Sequence, residues 1–440
     1  MLLVCALVAG ASMPFAPSLS YDAWGWLLWG REIVGSLPFT TATYPSWKPL
    51  TGLIAIPLAP LGDAAPWLWL FGVRTAAVVA LLLAFRLGRR AAGPWAGLLA
   101  ATALLLVPCW LFEAGVGESE PVLTAVLLGG LDRYLARRDG AGLALALLAS
   151  LLRPEAWPLL AASGVVTWRR RPGLRPWVGA ALVAVPALWF GGDYIGSGSP
   201  FTGGHLARIS KQAVEIQRGG GHPSLVVLGR GAELVPAVLL AGVPVALVAG
   251  LRRRDPLLLA LSAGALVWTA EVAAMSALGY PGIQRFLLPA AAAAGIAGAA
   301  GLTMLVRLPR RRMTQAALAG VVLAAVAGSG LTAAPATRSE TARIEHRADV
   351  NQSLVALMER VDPQTFRGRR HVAVEGIETT ALAWRLGVSP LPFRRPHVPG
   401  LALELRDVPW VRLQRRVARH HLEVRQVVRN EELSLVSVTR

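Results

Sequence analysis

Lysine and cysteine are scarce in this sequence of 440 residues. Lys48 and Lys211 are the two lysines, against 42 arginines. The two cysteines, Cys5 and Cys109, both fall in apolar segments, which excludes a framework of disulfides or of cysteine-ligated metal. The N-terminus lacks a charged segment and a clear cleavage site. We therefore expect residues 1–17 to form a retained first helix rather than a signal peptide.

Apolar residues dominate the composition. Hydrophobic residues make up 54% of the chain and the mean hydropathy is +0.50, as in a polytopic membrane protein rather than a soluble domain. The net charge of +18 would fit a nucleic-acid partner. Many arginines, however, lie in short tracts between apolar segments, where basic residues flank membrane spans. We therefore predict a protein of the lipid bilayer, with no nucleic-acid partner.

About eleven transmembrane helices are predicted, because a span needs roughly 17–25 residues. Nine segments have that character: 1–17, 66–86, 93–111, 120–136, 177–191, 225–250, 256–276, 285–306 and 313–332. Residues 141–168 divide into two short helices around Arg153-Pro154-Glu155. Residues 49–62 are apolar but short and interrupted by proline, which indicates a re-entrant or interfacial helix.

Arginine tracts predict the orientation. Five of them fall on one face when the segments alternate: 86–90, 133–138, 169–175, 252–254 and 307–312. That face is predicted to be cytoplasmic, with the N-terminus inside and the C-terminus outside. The composition, rich in Arg, Ala and Gly, is typical of high-GC coding, and we expect a bacterial plasma membrane.

Two domains are predicted, a transmembrane domain over 1–332 and an extracytoplasmic α/β domain over 333–440. The second is polar, with helical spacing in 339–361 and in IETTALAWRLG, a short strand in HVAVEG and a closing hairpin in LEVRQVVRNEELSLVSV. The predicted fold class is a polytopic α-helical membrane protein with a small C-terminal α/β domain.

The stretch from Tyr21 to Leu50 concentrates candidate functional residues. It holds Asp22 and Lys48 and interleaves them with four tryptophans, Trp24, Trp26, Trp29 and Trp47. Aromatic rings with a polar edge favour a membrane–water interface. We therefore expect this loop to lie on the bilayer surface and to hold a carboxylate and an ammonium near the headgroups.

Further candidates lie on the same predicted face. A carboxylate can take a proton from a hydroxyl, and cations can stabilise a departing phosphate, for which lysine is a compact point charge. The candidate catalytic acids are Asp22, with Glu118 and Glu120 of FEAGVGESEP in reserve. The candidate substrate-binding residues are Lys48, Arg285, His205, Arg208, Lys211, Arg153 and Trp24. The simpler alternatives are a solvated helix cap for Asp22, a snorkelling side chain for Lys48 and a mutual pair for Arg153 and Glu155.

Several motifs in this order resemble the GT-C superfamily of integral-membrane glycosyltransferases. The pattern is nearest to protein O-mannosyltransferases and lipid A aminoarabinose transferases. The matching elements are Asp22, Trp29-Gly30-Arg31-Glu32-Ile33, Lys48-Pro49-Leu50, Gly72-Val73-Arg74, Leu87-Gly88-Arg89-Arg90, Leu152-Arg153-Pro154-Glu155 and Arg285-Phe286-Leu287-Leu288-Pro289. Two positions depart from the family: Ala23 stands where a second acid is frequent, and Leu50 replaces a proline.

The resemblance implies a reaction. It is the transfer of a sugar, such as mannose or arabinose, from a polyprenyl-phosphate donor to an extracytoplasmic hydroxyl, inverting, with Asp22 as general base. It leaves open a glycolipid, polysaccharide or protein acceptor, and the use of a divalent metal. The alternatives are a lipid-linked sugar flippase or other transporter, and a scaffold that presents residues 333–440. Transporters commonly show internal repeats and broken helices, and the sequence shows neither convincingly.

Overall fold

The computed structural model describes residues 2–42, 45–361, 372–374, 379–387, 400–405, 423–429 and 433–439. The chain is mostly helical. The first nine α-helices are α1 Leu2–Ser12, α2 Tyr21–Ile33, α3 Pro49–Leu58, α4 Ala64–Ala92, α5 Pro94–Leu105, α6 Trp110–Gly115, α7 Glu120–Leu135, α8 Asp139–Leu152 and α9 Trp157–Arg170. The next nine are α10 Arg175–Ser197, α11 Thr202–Arg208, α12 Lys211–Arg218, α13 Pro223–Glu233, α14 Ala237–Leu240, α15 Gly242–Arg253, α16 Pro256–Ala277, α17 Leu288–Val306 and α18 Arg312–Glu359. Short 3-10 turns cover Ala59–Leu61, Pro154–Ala156, Pro172–Leu174 and Gln284–Leu287.

The chain is a multi-pass helical membrane protein. Among the described residues, five helical stretches are long and apolar enough to cross a bilayer: Ala64–Ala92, Pro172–Ser197, Pro256–Ala277, Gln284–Val306 and Arg312–Glu359. A sixth span results if α13 and α14–α15, which meet at an angle of 102°, are counted together. Four further apolar helices are shorter: Leu2–Ser12, Pro49–Leu61, Pro94–Leu105 and Asp139–Leu152. The total of eleven remains a prediction.

Several predicted segments differ from the helices observed. The segment 93–111 is interrupted after Leu105, in a stretch that contains Pro108, and 225–250 bends next to Pro236. Proline has no N–H to donate and therefore interrupts the helical hydrogen bonds. The first helix covers 11 residues. Helix α18 continues to Glu359, so the predicted boundary at 333 falls inside it, and the division into two domains remains a prediction.

Helix α17 is the centre of the transmembrane core. It consists largely of buried alanine and glycine, and it packs against α4, α5, α15 and α16. Gly298 and Gly301 lie directly against the backbone of Leu239 and Gly242, where a β-carbon would not fit. Such small residues allow helices to approach closely in membranes. This packing fixes the start of α17, immediately after the turn that carries Arg285.

The tryptophans of the first loop belong to a second core. Trp24, Trp26, Trp29 and Trp47 are 0–6% exposed. Their rings therefore pack inside the protein instead of facing lipid headgroups, and the position of the loop at the bilayer surface remains a prediction. Backbone carbonyls inside the protein satisfy two of the indole N–H groups: Trp29 donates to Thr40 O and Trp47 to the carbonyl oxygen at position 188, at 3.2 and 3.0 Å. A polar ring edge that is satisfied internally does not need the interface.

The C-terminal part contributes helix α19 and a sheet. Helix α19 is Thr379–Leu386, and the strands are β1 Val372–Val374, β2 Gly400–Leu405, β3 Glu423–Arg429 and β4 Leu433–Thr439. The strand order is β1-β2-β4-β3; β1 and β2 are parallel, and the other pairs are antiparallel. Strand β1, α19 and the β3–β4 pair lie where a strand, a helix and a hairpin were predicted. The remainder of HVAVEG and residues 430–432 lie outside the described residues.

Helix α19 packs directly on α2. The Thr380 hydroxyl donates to the Tyr21 carbonyl at 2.8 Å, and the Arg31 guanidinium donates to the Trp384 carbonyl at 2.7 Å. The same guanidinium stacks on the Trp384 ring, 3.2 Å from its centroid. The C-terminal part thus holds the helix that carries Asp22.

Candidate active site

Helices α2 and α3 position the acid and the lysine of the first loop. Ser20 caps α2 by accepting the N–H of Ala23 at 3.1 Å, which puts Asp22 in the first helical turn. Lys48 precedes α3, whose first residue is a proline. Gly30 of α2 lies against the backbone of Ala55 in α3, and a side chain there would force the helices apart. The close packing of these two helices fixes Asp22 relative to Lys48.

Most of the predicted site residues surround one cavity of about 770 Å³. Its lining includes Asp22, Lys48, Arg153, Glu155, His205, Arg208 and Arg285. The volume is typical of a small-molecule or cofactor site. Two predicted residues lie elsewhere: Trp24 is buried against Trp384, with ring centroids 6.1 Å apart, and Lys211 is solvent-exposed and pairs with Glu215 at 3.7 Å.

Arg285 connects the cavity to the acidic loop. Its Nη2 lies 2.8 Å from Asp22 Oδ2, and its Nη1 lies 2.8 Å from Glu118 Oε1. Glu113 Oε2 and Glu120 Oε1 each lie 3.9 Å from this guanidinium. One arginine therefore contacts four carboxylates. Of the three predicted catalytic acids, Asp22 lines the cavity, whereas Glu118 and Glu120 contact Arg285 without belonging to the lining.

Lys48 is buried in a polar and aromatic niche. Its ammonium donates to the Ser119 hydroxyl at 3.0 Å and lies 4.6 Å from the centroid of the Trp26 ring. Burial lowers the pKa of Lys48, and the nearby Glu120 carboxylate opposes this effect. The Lys48 ammonium, which Ser119 holds, thus lies at the wall of the cavity, where a bound anion can reach it.

Arg153 supplies a third cation at the cavity wall. It lies 3.0 Å from Glu155 Oε1 and 3.6 Å from Glu120 Oε1, and its guanidinium stacks over the Phe286 ring at 3.5 Å. The mutual pairing of Arg153 and Glu155 considered from the sequence is therefore observed. The additional contact with Glu120 connects Arg153 to the acidic loop.

The acidic loop turns sharply on a glycine. Gly117 has a φ of +76°, a conformation that favours glycine, and the Glu118 N–H then donates back to the Glu113 carbonyl at 3.0 Å. Burial raises the pKa of Glu118 to about 7 and the pKa of Glu113 well above its usual value, and in both cases Arg285 opposes the shift. Helix α18 supports this loop, because Ile344 packs against Gly115 and the Arg343 guanidinium lies 4.2 Å from the Phe112 ring centroid.

Some site contacts have no signal in the sequence. Ser119 lies 71 positions from Lys48, and its role appears only when α7 and the first loop are brought together. Trp26 and Phe286 face the cations Lys48 and Arg153, and the sequence indicated neither contact, although Trp26 was expected at the bilayer surface and Phe286 belongs to a matching motif. The proximity of Arg285 to Asp22 was foreseeable from the predicted sidedness of their segments.

No protein-family model matches this sequence, and no curated protein does so either. Solved structures do resemble the fold. The structure of ArnT from Cupriavidus metallidurans bound to undecaprenyl phosphate aligns with a TM-score of 0.59 over 99% of this chain and 97% of that chain, at 14% identity. The chain has the GT-C fold. The same enzyme in the apo state aligns with a TM-score of 0.57 at 15% identity.

A second GT-C structure agrees. The Archaeoglobus fulgidus oligosaccharyltransferase, tethered to an acceptor peptide with the NVT sequon, aligns with a TM-score of 0.52 at 12% identity, over 92% of this chain and 68% of that chain. The likeness is one of fold at these identities. The resemblance to GT-C proteins predicted from the loop motifs is confirmed at that level.

Proposed function

We propose that this protein transfers a sugar from a polyprenyl-phosphate donor to the hydroxyl group of an acceptor. The main observation is that a carboxylate, Asp22, and two cations, Lys48 and Arg285, line one cavity of about 770 Å³. The GT-C fold supports the proposal, since the ArnT structure contains bound undecaprenyl phosphate and the oligosaccharyltransferase structure contains an acceptor peptide.

The cations of the cavity would stabilise the leaving phosphate group. When the bond between the anomeric carbon and the phosphate oxygen breaks, its electron pair stays on the phosphate, which gains negative charge. Lys48 and Arg285 are fixed by Ser119 and by carboxylates, so they require little reorganisation as that charge develops. Arg153 faces the same cavity and adds a third positive charge.

Asp22 would activate the nucleophile, which is the acceptor hydroxyl group. The acceptor hydroxyl must lose its proton as its oxygen bonds to the anomeric carbon, and a carboxylate within hydrogen-bond reach can accept it. The Arg285 contact holds Asp22 through one oxygen, Oδ2. The proton then passes from Asp22 to solvent, and polyprenyl phosphate departs. Attack opposite the leaving phosphate makes the transfer inverting.

The acidic loop fits an oxygen-ligated divalent cation. Glu113, Glu118 and Glu120 each offer a carboxylate oxygen, and these atoms lie within 4.8 Å of one another. One oxygen of each residue is buried without a hydrogen-bond partner among the described residues. Such a set suits Mg²⁺, Mn²⁺ or Ca²⁺. A bound cation would neutralise charge beside the donor phosphate.

Orientation and domain division belong to the same proposal. The arginine tracts predict that the N-terminus lies in the cytoplasm and the cavity on the outer side, with residues 333–440 outside as well. The acceptor is then a glycolipid, a polysaccharide or a protein outside the membrane.

A transporter would be expected to place its broken helix at the substrate site. The bent helices α13–α15 contribute no described residue to the cavity lining.

Replacement of Asp22 by Asn tests the proposal. Asn keeps the shape of Asp and can accept the Arg285 hydrogen bond, but it cannot take the proton. We expect Asp22→Asn to bind donor normally and to lower the transfer rate about 10²–10⁴-fold, the usual contribution of a general base. The measurement is sugar transfer by purified protein, beside calorimetric binding of the donor.

Asp63→Asn is the matched control, since Asp63 precedes α4 and lines a different cleft. Near-normal transfer by Asp22→Asn with an inactive Glu120→Gln would move the base to Glu120. Normal transfer by both variants would exclude both carboxylates as the base, whereas absence of transfer by the unmodified protein would contradict the glycosyltransferase proposal and favour transport.

A further inference from the structure

A second cavity, of about 580 Å³, lies among α7, α8, α9, α16 and α17. Most of its wall is aliphatic, with Leu131, Leu159, Val166 and Leu261 among the lining side chains. It is separate from the cavity of the candidate active site, with which it shares no lining residue. An aliphatic cavity of this size between membrane helices fits a hydrocarbon chain.

Three arginines, Arg90, Arg137 and Arg170, belong to the lining of this cavity. Arg90 and Arg170 are in the last turns of α4 and α9, and Arg137 follows the end of α7. All three are exposed. The cationic end of the cavity therefore lies where these helices leave the apolar core.

The other end of the cavity approaches the candidate active site. Its lining includes Trp268, one helical turn before Val272, which lines the first cavity. It also includes Pro289, three residues after Phe286 of the first cavity. The two cavities thus lie next to each other at the turn between α16 and α17, and the second extends from there along α16 towards its first residues. The three arginines belong to tracts predicted to be cytoplasmic, so they are expected on the side of the membrane opposite to Lys48 and Arg285 of the first cavity.

The charges around the arginine end of the second cavity favour the binding of an anion. Asp132 pairs with Arg86 and Arg133, and Asp139 pairs with Arg170 and Arg171. The carboxylates of this region are therefore shared among several arginines, and an excess of positive charge remains. Basic pockets between transmembrane helices bind the headgroups of anionic lipids, and each arginine near the surface strengthens this binding about fivefold.

We propose that this cavity binds one anionic phospholipid of the leaflet on the arginine side. Its phosphate contacts Arg90, Arg137 and Arg170, and one acyl chain occupies the aliphatic part. A zwitterionic lipid is disfavoured because its ammonium group would face the same arginines. The sugar donor is a poor occupant, since its phosphate cannot be at Lys48 and Arg285 and also at the other end of α16.

Lipid binding to the purified full-length protein tests this inference. Native mass spectrometry would compare phosphatidylglycerol with phosphatidylcholine of the same acyl chains. We expect one phosphatidylglycerol to bind preferentially. Arg90→Gln and Arg137→Gln should each weaken it about fivefold. Ala260→Trp, which fills the cavity without changing charge, should also abolish the bound lipid.

Arg253→Gln and Arg312→Gln are the controls, because these arginines belong to the same predicted face but do not line the cavity. They should bind phosphatidylglycerol as the unmodified protein does. Three results would overturn the inference: equal binding of phosphatidylcholine, equal weakening by the control variants, or displacement of phosphatidylglycerol by polyprenyl phosphate. The last would make the cavity part of the donor path.

Discussion

Lys48→Met is the substitution that isolates one charge of the proposed phosphate site. Methionine keeps the unbranched shape and the packing of the side chain against Trp26, but it removes the ammonium that donates to Ser119. When the donor fills the cavity, water has little room beside the buried Lys48 side chain to replace the lost charge. The donor phosphate would then lose one charged hydrogen-bond partner.

The expected loss of transfer rate in Lys48→Met follows from that single contact. A hydrogen bond to a charged group contributes about 1.5–3 kcal/mol. If it forms with the departing phosphate, its loss slows transfer roughly 10- to 100-fold at saturating donor. A contact made equally with the bound donor and the transition state would instead raise KM and leave kcat unchanged.

The same change perturbs stability. Lys48 and Glu120 interact electrostatically, and Glu120 retains Arg153 at 3.6 Å and Arg285 at 3.9 Å after the substitution. Breaking a buried ion pair completely costs about 3–5 kcal/mol. We expect a smaller loss here because two cations remain. The double variant Lys48→Met, Glu120→Gln removes both charges and should recover most of the lost thermal stability.

The assay is transfer kinetics with thermal unfolding in the same detergent. The single and double variants should both be slow, whereas the double variant should be nearly as stable as the unmodified protein. Ser119→Ala, which removes the partner of Lys48 and keeps its charge, should slow transfer only a few-fold. A Lys48→Met protein that is destabilised yet transfers sugar at the normal kcat and KM would refute the assignment of Lys48 to the donor phosphate.

Two further predictions concern the acidic loop and the orientation. The folded pKa of Glu118 is about 7, above the ordinary value of 4.5. The folded state therefore keeps this proton while the unfolded state releases it, and stability falls as pH rises from 4.5 to 7, by about 3 kcal/mol. Glu118→Gln should flatten that part of the unfolding-versus-pH curve, and an unchanged slope would contradict the assignment. A cysteine at Ser36 should react with an impermeant thiol reagent added outside cells and one at Arg253 should not; the reverse pattern would invert the proposed topology.

Hydropathy and proline predicted much of the fold. The span that became α16 was located within one residue and the span that became α4 within six, and the break at Arg153-Pro154-Glu155 was placed where α8 ends. These features depend on local sequence, namely apolar length and missing N–H donors. The continuation of α18 past residue 332 was not predicted, because its polar second half resembles a segment outside the membrane, and a helix does not need lipid to continue.

The candidate site was predictable as a set of residues but not as a geometry. Asp22, Lys48 and Arg285 were grouped by sidedness and motif order, and they line one cavity. Their partners depend on contacts between distant segments, as with Ser119 and Lys48. The burial of the tryptophans was missed for a related reason. An indole is compatible with a bilayer surface and with a protein core, and only contacts between distant segments, such as Trp24 with Trp384 and Trp26 with Trp69, decide between them.

The length of helix α18 determines both the distance and the direction at which its later side chains meet the rest of the protein. Its 48 residues extend about 72 Å, more than twice the roughly 30 Å hydrocarbon core of a bilayer. Far along it, Ile344 and Arg343 contact the segment that leads into the acidic loop. One residue inserted between residue 333 and Arg343 would rotate those two side chains by about 100° around the helix axis and move them by about 1.5 Å. The support of the acidic loop therefore depends on the number of residues in this helix as much as on their identity.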